Sequence, residues 1–163
     1  GGAQFERRYG AFYCAVDGKF YIIGGRKYND LSNNHYGAKD VAIYNSNDNS
    51  LATLQDKMDW SRWEGMTVAI GTKIYCIGGL MGPSGEEGLV EDARYAIPSD
   101  KVYIFDTLTE TFSEGASMPF GRSSAATATI DDRYIYVFGG QKTRDVLAQD
   151  PSHCLKKLAF QQR

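Results

Sequence analysis

VDGKFYIIGG (Val16–Gly25) returns as IGTKIYCIGG (Ile70–Gly79) and again as IDDRYIYVFGG (Ile130–Gly140), the last with one extra residue in its turn. Each copy has an apolar segment leading into a short polar turn, Asp17-Gly18, Gly71-Thr72 or Asp131-Asp132. A second segment rich in β-branched and aromatic residues follows, which is the pattern of a tight β-hairpin. Tyr21, Tyr75 and Tyr136 hold equivalent places three residues before each Gly pair. The pair itself suits a place where φ must be positive or where two backbones approach closely.

Outward from the hairpins, two further strands per repeat can be read. Asp40–Asn45 (DVAIYN) matches Asp100–Asp106 (DKVYIFD) when the aromatics Tyr44 and Phe105 are aligned, and each aromatic is followed seven residues later by another large apolar residue, Leu51 or Phe112. Four short strands separated by turns make an antiparallel sheet per repeat. The spacing from Gly24 to Gly78 is 54 residues and from Gly78 to Gly139 is 61. That is close to the roughly 50 residues of a propeller blade and too long for helical solenoids.

These features together resemble the kelch repeat family of β-propellers. The resemblance covers about residues 8–140, and it rests on the three Gly-Gly doublets, the tyrosine before each and the aromatic-Asp/Asn end of the third strand. It implies an all-β fold, a partial kelch-type β-propeller of about three four-stranded antiparallel blades with the last incomplete. The blades are expected at about 8–60, 61–118 and 119–150, followed by an unpatterned tail at 151–163. The family usually carries a Trp where Leu51 and Phe112 stand, so altered aromatic packing between blades is expected. Asp145–Asp150 is a candidate third strand for the last blade, and Cys154–Phe160 has apolar residues at helical spacing. Propellers close rings of about 4 to 8 blades. Three blades therefore predict a fragment of a longer protein or a need for other chain segments to complete the propeller.

Composition narrows the function classes. A formal charge of −2 over 163 residues gives no basic stripe, so nucleic acid and membrane surfaces are not expected partners. No apolar run approaches the ~20 residues of a membrane span. Cys14, Cys76 and Cys154 are an odd number at irregular spacing, which fits neither a disulfide framework nor a zinc site and points to a reducing, cytoplasmic setting. His35 and His153 are the only histidines, so neither a metal site, a cofactor nor a catalytic pair is expected. The family also includes copper oxidases and sugar mutarotases, and a fragment of such an enzyme is the alternative reading; the sequence shows no recognisable set of the residues the oxidases need.

The leading reading is a protein–protein interaction module, with no enzyme activity, binding a peptide or protein on a rim lined by loops. Arg8, Arg62 and Arg122 recur in register, 16, 16 and 17 residues before Gly24, Gly78 and Gly139. The resemblance makes them, with the loops after Gly-Gly that begin at Arg26 and Leu80, candidate partner contacts. A ring of guanidinium groups suits an acidic partner because arginine pairs with carboxylates bidentately. The same arginines have a second reading, in which each bonds loop carbonyls to hold its own blade. Trp60 and Trp63 flank Arg62. Trp63 is a candidate binding anchor, and packing between blades is the competing role for both.

Overall fold

A computed structural model of the chain describes residues 7–29, 34–55, 57–81, 96–142 and 156–159. Blade 1 is introduced by the short strand β1 (Arg8–Tyr9) and continues with β2 (Phe12–Val16), β3 (Lys19–Ile23), the loop strands β4 (Arg26–Asn29) and β5 (Asn34–Gly37), then β6 (Val41–Asn45) and β7 (Ser50–Leu54). Blade 2 repeats this with β8 (Met66–Ile70), β9 (Lys73–Ile77), the loop strands β10 (Leu80–Met81) and β11 (Ile97–Pro98), then β12 (Val102–Asp106) and β13 (Thr111–Glu114). Blade 3 comprises β14 (Ala126–Ile130), β15 (Tyr134–Phe138) and β16 (Lys156–Ala159). The described residues contain no helix.

The sheets run β2-β3-β6-β7, β8-β9-β12-β13 and β14-β15-β16, all antiparallel. Register is equivalent in the first two, with Ile23 opposite Val41 and Ile77 opposite Val102. The first strands β2, β8 and β14 lie side by side, which makes them the inner strands of three adjacent blades.

Alternation along β9 explains how the blades stack, since successive side chains of a strand point to opposite faces. Ile74 and Cys76 pack into a core with Phe12, Ile23 and Val41 of blade 1, while Tyr75 and Ile77 pack into a second core with Ile135 and Val137 of blade 3. A strand buried on both faces must read as a continuous apolar run, and IYCI does. The outer strand β13, TFSE, has only Phe112 turned inward against Phe105.

Within the helical spacing at Cys154–Phe160, the described residues Lys156–Ala159 form no helix. Lys156–Ala159 is strand β16, paired with β15 from Tyr134↔Ala159 to Val137↔Lys156, in the place that β6 and β12 hold in the other blades. A helix of so few residues is unstable alone, whereas the edge of β15 offers a ready row of backbone donors and acceptors. Asp145–Asp150 lies outside the described residues.

The Gly-Gly doublets are the joints between blades. Gly24 and Gly25 have φ of 62° and 90°, and Gly78 and Gly79 have 61° and 92°. In that conformation the second glycine of each donates its N–H to the next blade, Gly25 to the Arg62 carbonyl at 2.9 Å and Gly79 to the Arg122 carbonyl at 2.8 Å. A side chain on Gly78 would begin 2.3 Å from the Arg122 carbonyl oxygen, so close approach as well as backbone angle requires glycine.

Candidate functional site

Four-stranded meanders sort their connections by face. The segments that enter β2, β8 and β14 lie on the same face as the long loops after Gly-Gly, and the short hairpin turns lie on the opposite face. The turn face is built for closure. Ser46 Oγ donates to the Gly18 carbonyl at 2.6 Å and Thr107 Oγ1 to the Thr72 carbonyl at 2.9 Å. Asn45 Oδ1 and Asp106 Oδ1 accept from the backbone N–H two residues on, at 3.1 and 2.9 Å. The Asn or Asp that ends each third strand therefore sets a local turn.

The loop face carries the repeated arginines, each tied to its own blade. Arg8 Nη1 donates to the Gly24 carbonyl at 3.2 Å, Arg122 Nη1 to the Gly139 carbonyl, and Arg62 Nη1 makes a long contact of 3.4 Å with the Lys101 carbonyl. Arg62 and Arg122 are 5% and 9% exposed. Their carbonyls take the glycine N–H groups of the preceding blade, so one residue joins two blades.

Blades 1 and 2 differ in what balances this arginine. Asp40, whose carbonyl accepts from Gly24 N–H at 3.2 Å, pairs through its carboxylate with Arg8 at 2.7 Å and Lys27 at 3.1 Å. Burial alone would raise the Asp40 carboxyl; the two cations outweigh it and hold the group below the ordinary aspartate value. The equivalent acceptor in blade 2, bonded to Gly78 N–H at 2.9 Å, is Lys101, whose ammonium turns outward to Glu114. No carboxylate therefore stands beside Arg62 at the step Asp40 fills beside Arg8. Instead its guanidinium lies 5.3 Å from the Trp60 ring centroid and 4.9 Å from that of Tyr103. Burial lowers its pKa, yet a guanidinium stays charged in a protein.

Around Arg62 the face opens into a cleft of about 430 Å³, bounded by Asp59, Trp60, Pro98, Asp100, Lys101 and Tyr103 and reaching Gly121 at the start of blade 3. Trp60 stacks on Tyr103 at 4.8 Å and meets Phe112 edge-on at 5.7 Å. Its indole N–H is buried and has no hydrogen-bond partner among the described residues. Trp63 is 1% exposed and packs with Leu80 and Ala96, and the Arg26 guanidinium lies over it at 5.3 Å. Arg62 and Arg26 thus cover different tryptophans, and Arg8 and Arg122 sit one blade away on either side.

Asp40, Lys101 and Tyr103 are functional neighbours that the sequence reading did not single out. Aligning the third strands on Tyr44 and Phe105 puts Asp40 opposite Lys101, and that sign reversal was the available signal. Of the loop that begins at Leu80, residues 82–95 lie outside the described residues, as does Cys154. Within the described residues no group of three or more His, Cys, Asp or Glu is placed to hold a metal.

The signature of the Kelch motif matches residues 67–119, which is blade 2 with the segment leading to blade 3. One F-box/kelch-repeat protein of Arabidopsis thaliana is 37% identical over 90 residues, or 55% of this chain, and a second is 35% identical over 82 residues, or 50% of it. The chain spans about a fifth of the length of these relatives, 20% and 18%. The solved structure of YjhT superposes with a TM-score of 0.70 at 18% identity, covering 83% of this chain and 45% of that one, a likeness of fold. With its repeats in register and its blades joined through Gly-Gly, the chain carries a Kelch motif, is similar to kelch-repeat proteins and forms part of a kelch-type β-propeller.

Proposed function

We propose that this chain is an interaction module without catalytic activity, and that the cleft around Arg62 takes an acidic side chain or terminal carboxylate of a peptide or protein partner. The observation that carries this reading is the Arg62 guanidinium at the base of the cleft, which makes no direct ion pair among the described residues; it hydrogen-bonds to Tyr103, and the Asp100 carboxylate acts on it only at longer range. Arg8 has its carboxylate in Asp40, whereas Arg62 is buried at the base of an open cleft with Lys101 in the matching place. A buried cation gains about 1.5–3 kcal/mol from a charged hydrogen-bond partner, and the Trp60 N–H adds a second donor that lacks an acceptor. The similarity to F-box/kelch-repeat proteins supports a protein partner. Two free thiols, Cys14 and Cys76, support a reducing compartment such as the cytoplasm.

Selection from a random peptide library displayed against the chain tests this. Enrichment of Asp- and Glu-bearing peptides, weakened by salt and by an Arg62→Gln variant that keeps its circular dichroism spectrum, is expected. Selected peptides without acidic residues would sink the charge preference, and equal binding by the folded variant would remove the cleft from the reading.

A further inference from the structure

The cleft around Arg62 carries charges of both signs in separate places. The guanidinium forms its base, and two carboxylates border it, Asp59 on the segment entering blade 2 and Asp100 just ahead of β12. Asp59 is exposed and Asp100 half-buried, and neither makes an ion pair among the described residues. Lys101 borders the same cleft, but its ammonium is already paired with Glu114. The unpaired charges are therefore one cation at the base and two anions at the walls. Asp100 is fixed there by its main chain, whose carbonyl accepts from Met118 N–H at 2.7 Å.

Both wall carboxylates are particular to blade 2. Aligned on Tyr44 and Phe105, the third strands are preceded by Lys39-Asp40 in blade 1 and by Asp100-Lys101 in blade 2, the same two charges in reverse order. In blade 1 the carboxylate falls on the step that neutralises Arg8. In blade 2 it falls one step earlier, where it borders the cleft. Asp59 stands three residues before Arg62, and the matching places before Arg8 and Arg122 hold Phe5 and Pro119, both uncharged. A ligand that brings only negative charge meets the base favourably and the walls unfavourably, since like charges placed together at an interface are costly.

We infer that the partner segment carries its acidic residue with a lysine or arginine two positions away, Arg62 taking the carboxylate while Asp59 and Asp100 take the cation. The inference rests on the acidic-ligand reading of this cleft and narrows it from acidity to an order of charges. Side chains two residues apart in an extended chain share one face, about 7 Å apart, so one short segment supplies both groups. The stem of a long basic side chain can lie on Met81 and Pro98, which border the same cleft, while its charged end stays hydrated. The walls then act against acidic runs, and selectivity comes from repulsion as well as attraction. A net charge of −2 likewise gives the chain no long-range pull on a strongly acidic partner.

Fluorescence anisotropy with four labelled peptides in one Gly-Ser frame tests the inference. Three carry a central Glu with Lys, Ala or Glu two residues to either side, and the fourth carries a central Gln with Lys. The Lys-flanked Glu peptide should bind about fivefold tighter than the Ala-flanked one, and the Glu-flanked peptide about fivefold weaker. Asp59→Asn and Asp100→Asn should each narrow these ratios to about twofold. Equal affinity of the three Glu peptides, or tightest binding by the acid-flanked one, overturns the inference and leaves the acidic preference of the cleft standing. A spread that both variants preserve also overturns it, because the preference would then come from charges elsewhere. If the Gln peptide binds as well as its Glu counterpart, or no peptide binds, the acidic reading falls and this inference with it. Should Asp100→Asn fail to fold, Asp59→Asn at its exposed position decides alone.

Discussion

Blades 1 and 2 have the same strand order, the same doublet and the same arginine, but they neutralise that arginine by different means. In blade 1 Asp40 binds Arg8 and Lys27 in one buried cluster, so the blade is electrostatically complete. In blade 2 the matching residue is Lys101, and aromatic rings stand against Arg62 instead. Backbone bonding through the doublet is unaffected by the exchange, which leaves the side-chain position free to vary. The fold needs the glycines and the arginine carbonyl, and what faces the guanidinium is open to specialisation.

The doublets give the largest test of this division. Gly78→Ala places a methyl group 2.3 Å from the Arg122 carbonyl oxygen in a left-handed backbone, whereas Gly24→Ala places it at 3.3 Å from the Arg62 carbonyl oxygen. The left-handed conformation costs a non-glycine residue about 1–2 kcal/mol, and forced overpacking adds about 1–3 kcal/mol. Urea denaturation should show Gly78→Ala losing about 2–5 kcal/mol and Gly24→Ala about 1–2 kcal/mol. Equal losses would mean that the blade 2–3 joint relaxes freely and is not the tighter of the two.

Next in size is the Asp40 cluster. Asp40→Asn leaves two cations facing a neutral amide in a buried setting, and breaking such a pair costs about 3 kcal/mol at pH 7. The Asp40 carboxyl is held below its unfolded value of about 3.9, so its contribution is present above that value and is lost as pH falls through the lowered folded one. The stability gap between wild type and variant should therefore be full at pH 7, shrink below about pH 4 and close at lower pH. A gap that persists unchanged in acid would assign the loss to packing and not to charge.

The difference between these blades also marks how far the sequence could be read. Hairpins, doublets and the third strands of blades 1 and 2 were legible because each is a local pattern repeated in register, and repetition exposes what one instance hides. The arginines were visible by the same logic, but their partners were not. Whether Arg62 bonds a carbonyl, a ring or a carboxylate depends on Lys101 and Tyr103, which lie about forty residues away and reach it only after β12 pairs with β9. Strand β16 was hidden for a related reason. Its four residues carry a spacing that fits a helix, and only the unpaired edge of β15 selects the strand. Trp60 illustrates the middle ground: its role in packing followed from Leu51 and Phe112 replacing the usual tryptophan, while its stacking on Tyr103 did not.

Converting blade 2 to the chemistry of blade 1 should change stability least and binding most. Lys101→Asp sets a carboxylate at the step Asp40 occupies and gives up an exposed, solvent-screened pair with Glu114 that adds little to stability. Thermal and urea melts should therefore move little. An internal carboxylate beside Arg62 competes with any acidic ligand, and losing one charged hydrogen bond weakens binding by about tenfold or more. Lys101→Ala separates the causes, since it removes the ammonium without supplying a carboxylate. If Lys101→Asp abolishes acidic-peptide binding while Lys101→Ala retains most of it, the open guanidinium of Arg62 is the receptor. If the two variants lose binding equally, the attraction lies in the Lys101 ammonium, and blade 2 differs from blade 1 by a surface charge and not by a vacant partner.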